Sequence, residues 1–195
     1  MEKVETGCKS IFKFNNVLRN SFCDQLTKEV IEIKTSDRNP DLNVMPWHDN
    51  DSLDWTTIRN PYIYAKIESY VEYLTYIVSS SYNIKVYPHF VDIVLWRSGR
   101  SMDRHVDNGW TDEEQYLRQR AFTTITYLND NYVGGETYIT SEHDDYVSIP
   151  KKGSVVIMKS NSDNAHGVNK VTEGMRVTLP VWFTKNYEHG LSHFR

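Results

Sequence analysis

Apolar residues recur at helical spacing twice in the first half of the chain. Phe22, Leu26, Val30 and Ile33 lie four, four and three positions apart, which predicts a helix over about 22–34 with one stripe against a core. Ser21 followed by Asp24 reads as its capping start. Asn60-Pro61 opens a second helix, with Ile63, Ile67, Val71, Leu74 and Val78 on its inner stripe. Between the two, residues 35–58 show no period and are rich in Asp, Asn, Pro and Ser around Trp47 and Trp55. That texture predicts a long loop, either a lid over a site or a mobile segment.

After Ser79-Ser80-Ser81 the pattern changes to short β-branched and aromatic runs split by turn residues. The runs are 84–96, 121–128, 135–140, 146–149, 153–159, 164–171 and 175–184, and Ile11–Phe14 reads as one further strand near the N-terminus. Strands in this number without interspersed helices predict a mainly β fold with N-terminal helices and a jelly-roll core. The expected organisation is one domain over 1–195, with helical support over about 20–80 and the jelly roll over about 84–184.

Composition narrows the class. A chain of 195 residues can bury a core of its own, and an aromatic content of 13 % with thirteen Tyr suits a strand-rich body. The net charge is −4 and no Lys/Arg run is visible, which argues against a nucleic-acid partner. Cys8 and Cys23 are too few and too close for a secreted disulfide framework. Charges punctuate the first thirty residues, and no apolar stretch reaches membrane-spanning length. The expectation is a soluble, cytoplasmic protein with no membrane partner.

The chemistry sits in the second half. His105-Val106-Asp107 is followed by His166 and, ten positions later, by Arg176. Two imidazoles and a carboxylate form a ligand set that holds Fe(II) on one face and leaves the other open, and an Arg behind them suits a carboxylate-bearing co-substrate. If His105 and Asp107 share a strand, they point the same way. His-x-Asp alone is weak, with about half an instance expected by chance here. His143-Asp144-Asp145 is such a second match, in a polar stretch without a distal His and Arg, and reads as a solvated loop.

The distal residues carry more weight. His166-Gly167-Val168 opens one strand, Glu173-Gly174 makes a turn and Arg176 opens the next, so His166 and Arg176 are expected on neighbouring strands of a hairpin. In that last strand Arg176, Thr178, Pro180 and Trp182 share one face, and Val177, Leu179, Val181 and Phe183 the other. An Arg turned into a barrel needs an anion to pair with, and a dicarboxylate would serve. His48, His89, His189 and His193 read as surface or packing residues.

Several blocks in order resemble the Fe(II)- and 2-oxoglutarate-dependent dioxygenases of the prolyl 4-hydroxylase superfamily. They are Trp96-Arg97-Ser98-Gly99 ahead of His105, Tyr127-Leu128-Asn129-Asp130, Gly134-Gly135-Glu136-Thr137-Tyr138 and Pro150-Lys151-Lys152-Gly153-Ser154, with Ile11 to Leu18 and Phe22 to Leu26 similar to the family's opening strand and helix. His105-Val106-Asp107-Asn108 and Arg120, seven residues before Tyr127, also resemble the prolyl hydroxylases that act on hypoxia-inducible factor. Two positions depart from the collagen-type pattern: Arg176 stands where Lys is usual, as in lysyl hydroxylases and several microbial and viral relatives, and Trp96 replaces a Tyr.

The resemblance implies a double-stranded β-helix (jelly roll, cupin-like), iron held by His105, Asp107 and His166, and 2-oxoglutarate held by Arg176, Tyr127 and Thr178. It implies O2 as oxidant, ascorbate as accessory reductant, and a proline-containing peptide or protein as substrate. Arg120 and Trp110 are the expected substrate contacts. The carboxylate of Asp107 argues against halogenation, and Trp182, six residues after Arg176, stands where nucleic-acid demethylases carry a second Arg. Hydroxylation of lysine, of another side chain or of a small molecule is the enzymatic alternative. A catalytically silent jelly-roll binding module is the other.

Overall fold

Both apolar stripes become helices in the computed structural model, which describes residues 1–36, 51–109, 112–140 and 145–194. Helix α1 spans Asn20–Ser36 and α2 spans Pro61–Tyr82. All four stripe residues of α1 and all five of α2 are buried, each worth about 1.5–3 kcal/mol on removal from water. Asn60 caps α2 as expected, its side chain accepting from the Tyr62 and Ile63 N–H groups, and Asn83 ends it in the left-handed region at φ 52°. Ser21 is not a cap: α1 already begins at Asn20, and the Arg19 carbonyl accepts from Phe22 and Cys23 N–H.

Thirteen strands follow among the described residues: β1 (Glu2–Val4), β2 (Phe12–Asn15), β3 (Asp51–Asp54), β4 (Tyr87–Arg97), β5 (Met102–His105), β6 (Phe122–Tyr127), β7 (Val133–Gly134), β8 (Thr137–Thr140), β9 (Asp145–Ser148), β10 (Val155–Lys159), β11 (Ala165–Val168), β12 (Val171–Glu173) and β13 (Met175–Thr184). A seven-stranded sheet runs β1-β2-β10-β6-β13-β4-β3, and a four-stranded sheet runs β5-β11-β8-β9. Strands β12 and β7 form a small ribbon.

Alternation along the central strands sorts side chains into two cores. Val177, Leu179, Val181 and Phe183 of β13, Val91, Ile93 and Leu95 of β4, and Val155 and Ile157 of β10 pack with the helices. Their neighbours in sequence turn the other way, where Val94 and Trp96 meet Val168 of the smaller sheet, and Ile125 and Val156 meet Ile139. The result is a helix layer on the outer face of a two-sheet jelly roll.

Two further expectations are corrected. Part of the long loop is β3, an edge strand paired with β4, followed by a 3-10 turn at Trp55–Thr57; residues 37–50, with Trp47 and His48, lie outside the described residues. His166 and Arg176 are not hairpin partners, because β11 belongs to the smaller sheet and β13 to the larger, so the two residues come from different sheets. Cys8 and Cys23 are both free thiols. Among the described residues no helix is long and apolar enough to cross a membrane.

Candidate active site

His105 is the last residue of β5, and it is the register partner of His166 on β11. Their rings lie 4.5 Å apart. Asp107 sits two residues past the strand end, in a turn, so the shared-strand argument fails and the turn does the positioning instead. That turn is tied down by the Asn108 N–H, which donates to the Ser160 carbonyl at 3.0 Å, and by the Thr123 hydroxyl, which donates to Asp107 Oδ2 at 2.6 Å.

The donor atoms converge. Nε2 of His105 lies 3.6 Å from Asp107 Oδ1, and Nε2 of His166 lies 3.4 Å from Oδ2. One ligand atom from each of the three residues falls within 4.8 Å of the others. Each imidazole holds its Nδ1 against a backbone carbonyl, Asp103 for His105 at 2.9 Å and Asn164 for His166 at 3.1 Å. A carbonyl only accepts, so both rings carry their proton on Nδ1 and present the Nε2 lone pair to the common point.

For Asp107 and His166 the electrostatics agree with that assignment. Burial alone would push the Asp107 carboxyl up, but the adjoining imidazoles and the nearby Arg120 charge outweigh it and hold the group well below the usual carboxylate range. Burial lowers His166 to about 4 against the opposing pull of Asp107. His105, less enclosed, is held above its ordinary value because Asp107 and the Asp103 carbonyl overcome the effect of burial. An ionised carboxylate beside a neutral buried imidazole is the state a divalent cation requires.

A narrow cavity of ≈ 50 Å³ opens from these donors between the two sheets, walled by Val94, Trp96, Met102 and Ile125 and, from β13, by Arg176, Thr178, Pro180 and Trp182. It holds a few water-sized molecules, and a larger guest requires the lining side chains to shift. Arg176 is 1 % exposed. Its Nη2 donates to Thr137 Oγ1 at 3.1 Å, while Nε and Nη1 have no hydrogen-bond partner. The guanidinium is sandwiched instead by the rings of Trp96 and Tyr127, 4.9 and 5.5 Å away. A buried cation with two idle donors on an apolar cavity is costly by itself and fits an anionic guest.

The remaining expected residues fall as follows. Thr178 lines the cavity and accepts from Trp96 Nε1 at 3.4 Å, leaving its own proton to donate. The Tyr127 hydroxyl is engaged with Thr137 Oγ1 at 2.9 Å and the Ser148 carbonyl at 3.3 Å, and reaches Arg176 through Thr137. Arg120 is buried against Trp182, 4.4 Å over its ring, and Phe90. Trp110, His143 and Asp144 lie outside the described residues, and Asp145, the carboxylate of the second His-x-Asp match, is exposed at the start of β9. His89 bonds the His189 carbonyl, and His193 pairs with Glu68 and packs on Trp55.

Thr123 and Ser160 have no part in the sequence-based expectations, and Gly135 and Thr137 enter them only within a family block, without a role. Thr123 shares the inward face with Ile125 and Tyr127, a period-2 signal available in the run Phe122–Tyr127. Gly135, at φ 68°, leaves room for the guanidinium arm: a Cβ there would come within 3.0 Å of Arg176 Cδ.

Comparison with known proteins matches this picture. Residues 91–184 match the profile of the 2OG-Fe(II) oxygenase superfamily. Prolyl 3-hydroxylase 2 of Rattus norvegicus is 31 % identical over 86 residues, which are 43 % of this chain and 12 % of that protein, so the chain corresponds to a small part of its curated relatives. A prolyl hydroxylase of Trichoplax adhaerens, solved with a hypoxia inducible factor peptide fragment, superposes at TM-score 0.73 with 19 % identity over 95 % of this chain and 88 % of that one. The viral collagen prolyl hydroxylase of Paramecium Bursaria Chlorella virus-1, solved with 2OG, gives 0.66 with 18 % identity over 94 % and 99 %. The segment that matches the 2OG-Fe(II) oxygenase superfamily is the one that carries the converging His-Asp-His donors and the strands around them.

Proposed function

We propose that this chain is an Fe(II)- and 2-oxoglutarate-dependent hydroxylase acting on a prolyl residue of a peptide or protein. The observation that carries the reading is the pairing, on one cavity, of three convergent metal-ligand atoms with a buried guanidinium that has two donors to spare. His105, Asp107 and His166 would hold ferrous iron, which when bound would supply the O2 activation that couples decarboxylation of 2-oxoglutarate to succinate with hydroxylation of the substrate.

The residues of the chain supply position. Asp103 and Asn164 carbonyls fix the imidazole tautomers, and Thr123 orients the carboxylate. Arg176 offers Nε and Nη1 to the far carboxylate of the co-substrate, with the Thr178 hydroxyl beside it. Trp96, Val94, Ile125 and Pro180 keep that end of the cavity apolar, which strengthens the ion pair. Similarity to prolyl hydroxylases on both the curated and the structural side supports proline as the target.

The test is incubation with Fe(II), 2-oxoglutarate, O2 and proline-containing peptides, with and without ascorbate. Succinate should form together with a one-oxygen mass gain on proline. Absence of succinate under all peptides, in a protein that binds iron, would support the silent-module alternative instead.

A further inference from the structure

A wider groove of ≈ 800 Å³ lies beside the metal-site cavity. Its lining gathers four cations from three places in the chain: Arg118 and Arg120 ahead of β6, Lys159 at the end of β10, and Lys185 just past β13. No aspartate or glutamate lines it among the described residues. The whole chain carries −4, so this lining is a local reversal of sign. Lys159 meets Asp163 at 3.6 Å with both side chains well exposed, so solvent screens the pair.

Two links join the groove to the metal site. Asn108, in the lining, directly follows Asp107. Arg120, also in the lining, lies 4.4 Å over the ring of Trp182, which walls the cavity of His105, Asp107 and His166. A cleft lined by one sign of charge focuses its field and concentrates ligands of the opposite sign.

We infer that the polypeptide substrate lies in this groove and that the groove selects an acidic stretch flanking the target residue. The inference rests on the hydroxylase reading above. An acidic peptide fits better than a nucleic-acid strand: the cations are few and form no track along one element.

The test uses the full chain and two labelled proline-containing peptides, one with a flanking block of Asp and Glu, the other with Asn and Gln in their place. By anisotropy the acidic peptide should bind at least about tenfold more tightly, with the margin shrinking on added salt and in Lys159→Glu/Lys185→Glu. Lys159→Gln/Lys185→Gln serves if the reversal disturbs the circular dichroism spectrum. Equal affinities, or a preference that survives both double variants, overturn the inference. So does a single-stranded oligonucleotide that displaces the acidic peptide more effectively than unlabelled peptide does. Succinate release is measured alongside. Binding preference without 2-oxoglutarate consumption sinks the hydroxylase reading and keeps the acidic-peptide groove; succinate formed equally from both peptides, with no binding preference, sinks the groove and keeps the hydroxylase.

Discussion

His105 and His166 face each other directly across the antiparallel β5–β11 pair, so one register sets both nitrogen donors. Gly167 lets the strands come that close: a Cβ there would lie 2.6 Å from the Met102 carbonyl oxygen and 2.3 Å from the Tyr138 hydroxyl. His166→Ala should therefore remove a ligand without touching the ladder. Ferrous iron affinity is expected to fall more than about 100-fold, since losing an outer-shell partner alone costs 10–100-fold. In the wild type, metal at about 100 times its Kd should add roughly 2.7 kcal/mol of stability that a chelator takes away. A similar metal-dependent rise in Tm for His166→Ala would count against the cluster as the metal site.

Thr123 gives a subtler test. Its hydroxyl donates to Asp107 Oδ2 and stands 2.8 Å from Ser160 Oγ. Thr123→Val keeps the shape and deletes the donor, so iron affinity should drop about 10–100-fold while the fold loses only about 1–3 kcal/mol. Thr123→Ser should restore most of the affinity in a chelator competition. Equal values for Val and Ser would remove the hydroxyl from the account.

Arg176 should show opposite effects on stability and on co-substrate binding. The guanidinium is buried, with two donors unsatisfied, so Arg176→Met relieves desolvation and should leave the ligand-free chain as stable or up to about 1–4 kcal/mol more stable. The 2-oxoglutarate KM should rise more than about tenfold as the charge-assisted pair is lost. Iron affinity should hold. A variant that loses stability and iron together would instead mark Arg176 as a structural cation.

What the sequence shows and hides follows the same physics. The helical stripes and the two faces of β13 were legible because burial enforces strict periods of 3.6 and 2, and Arg176, Thr178, Pro180 and Trp182 do share the cavity wall. Strand β3 was not legible, since Asp51-Ser52-Leu53-Asp54 buries one apolar side chain and reads as loop. The His166–Arg176 hairpin was misread because a ten-residue spacing says nothing about which sheet each strand joins. Only pairing across β11–β5 and β13–β4 separates them. The basic groove was hidden for a related reason: residues so distant in sequence leave no run of charge to notice.

Asp92 yields a prediction away from the metal. It lies on β4 opposite Asp54 of β3, is 4 % exposed, and receives hydrogen bonds from Ser52 Oγ and from the Ile93 N–H. Burial, with a smaller push from Asp54, raises its carboxyl to about 6 despite those bonds. The folded state therefore binds a proton that the unfolded chain, near 3.8, has already released. The resulting stability is present in full below about pH 3.8 and is lost as pH rises through about 6, by up to about 3 kcal/mol. Asp92→Asn keeps an uncharged polar group at every pH and should lose that slope. Urea unfolding of both proteins at about pH 4.5 and pH 7.5 reads it directly: wild type should gain relative to Asp92→Asn at the lower pH. A stability difference that stays constant between the two pH values would show that the Asp92 carboxyl titrates as it does in the unfolded chain, and that Ser52 and Ile93 fully offset its burial.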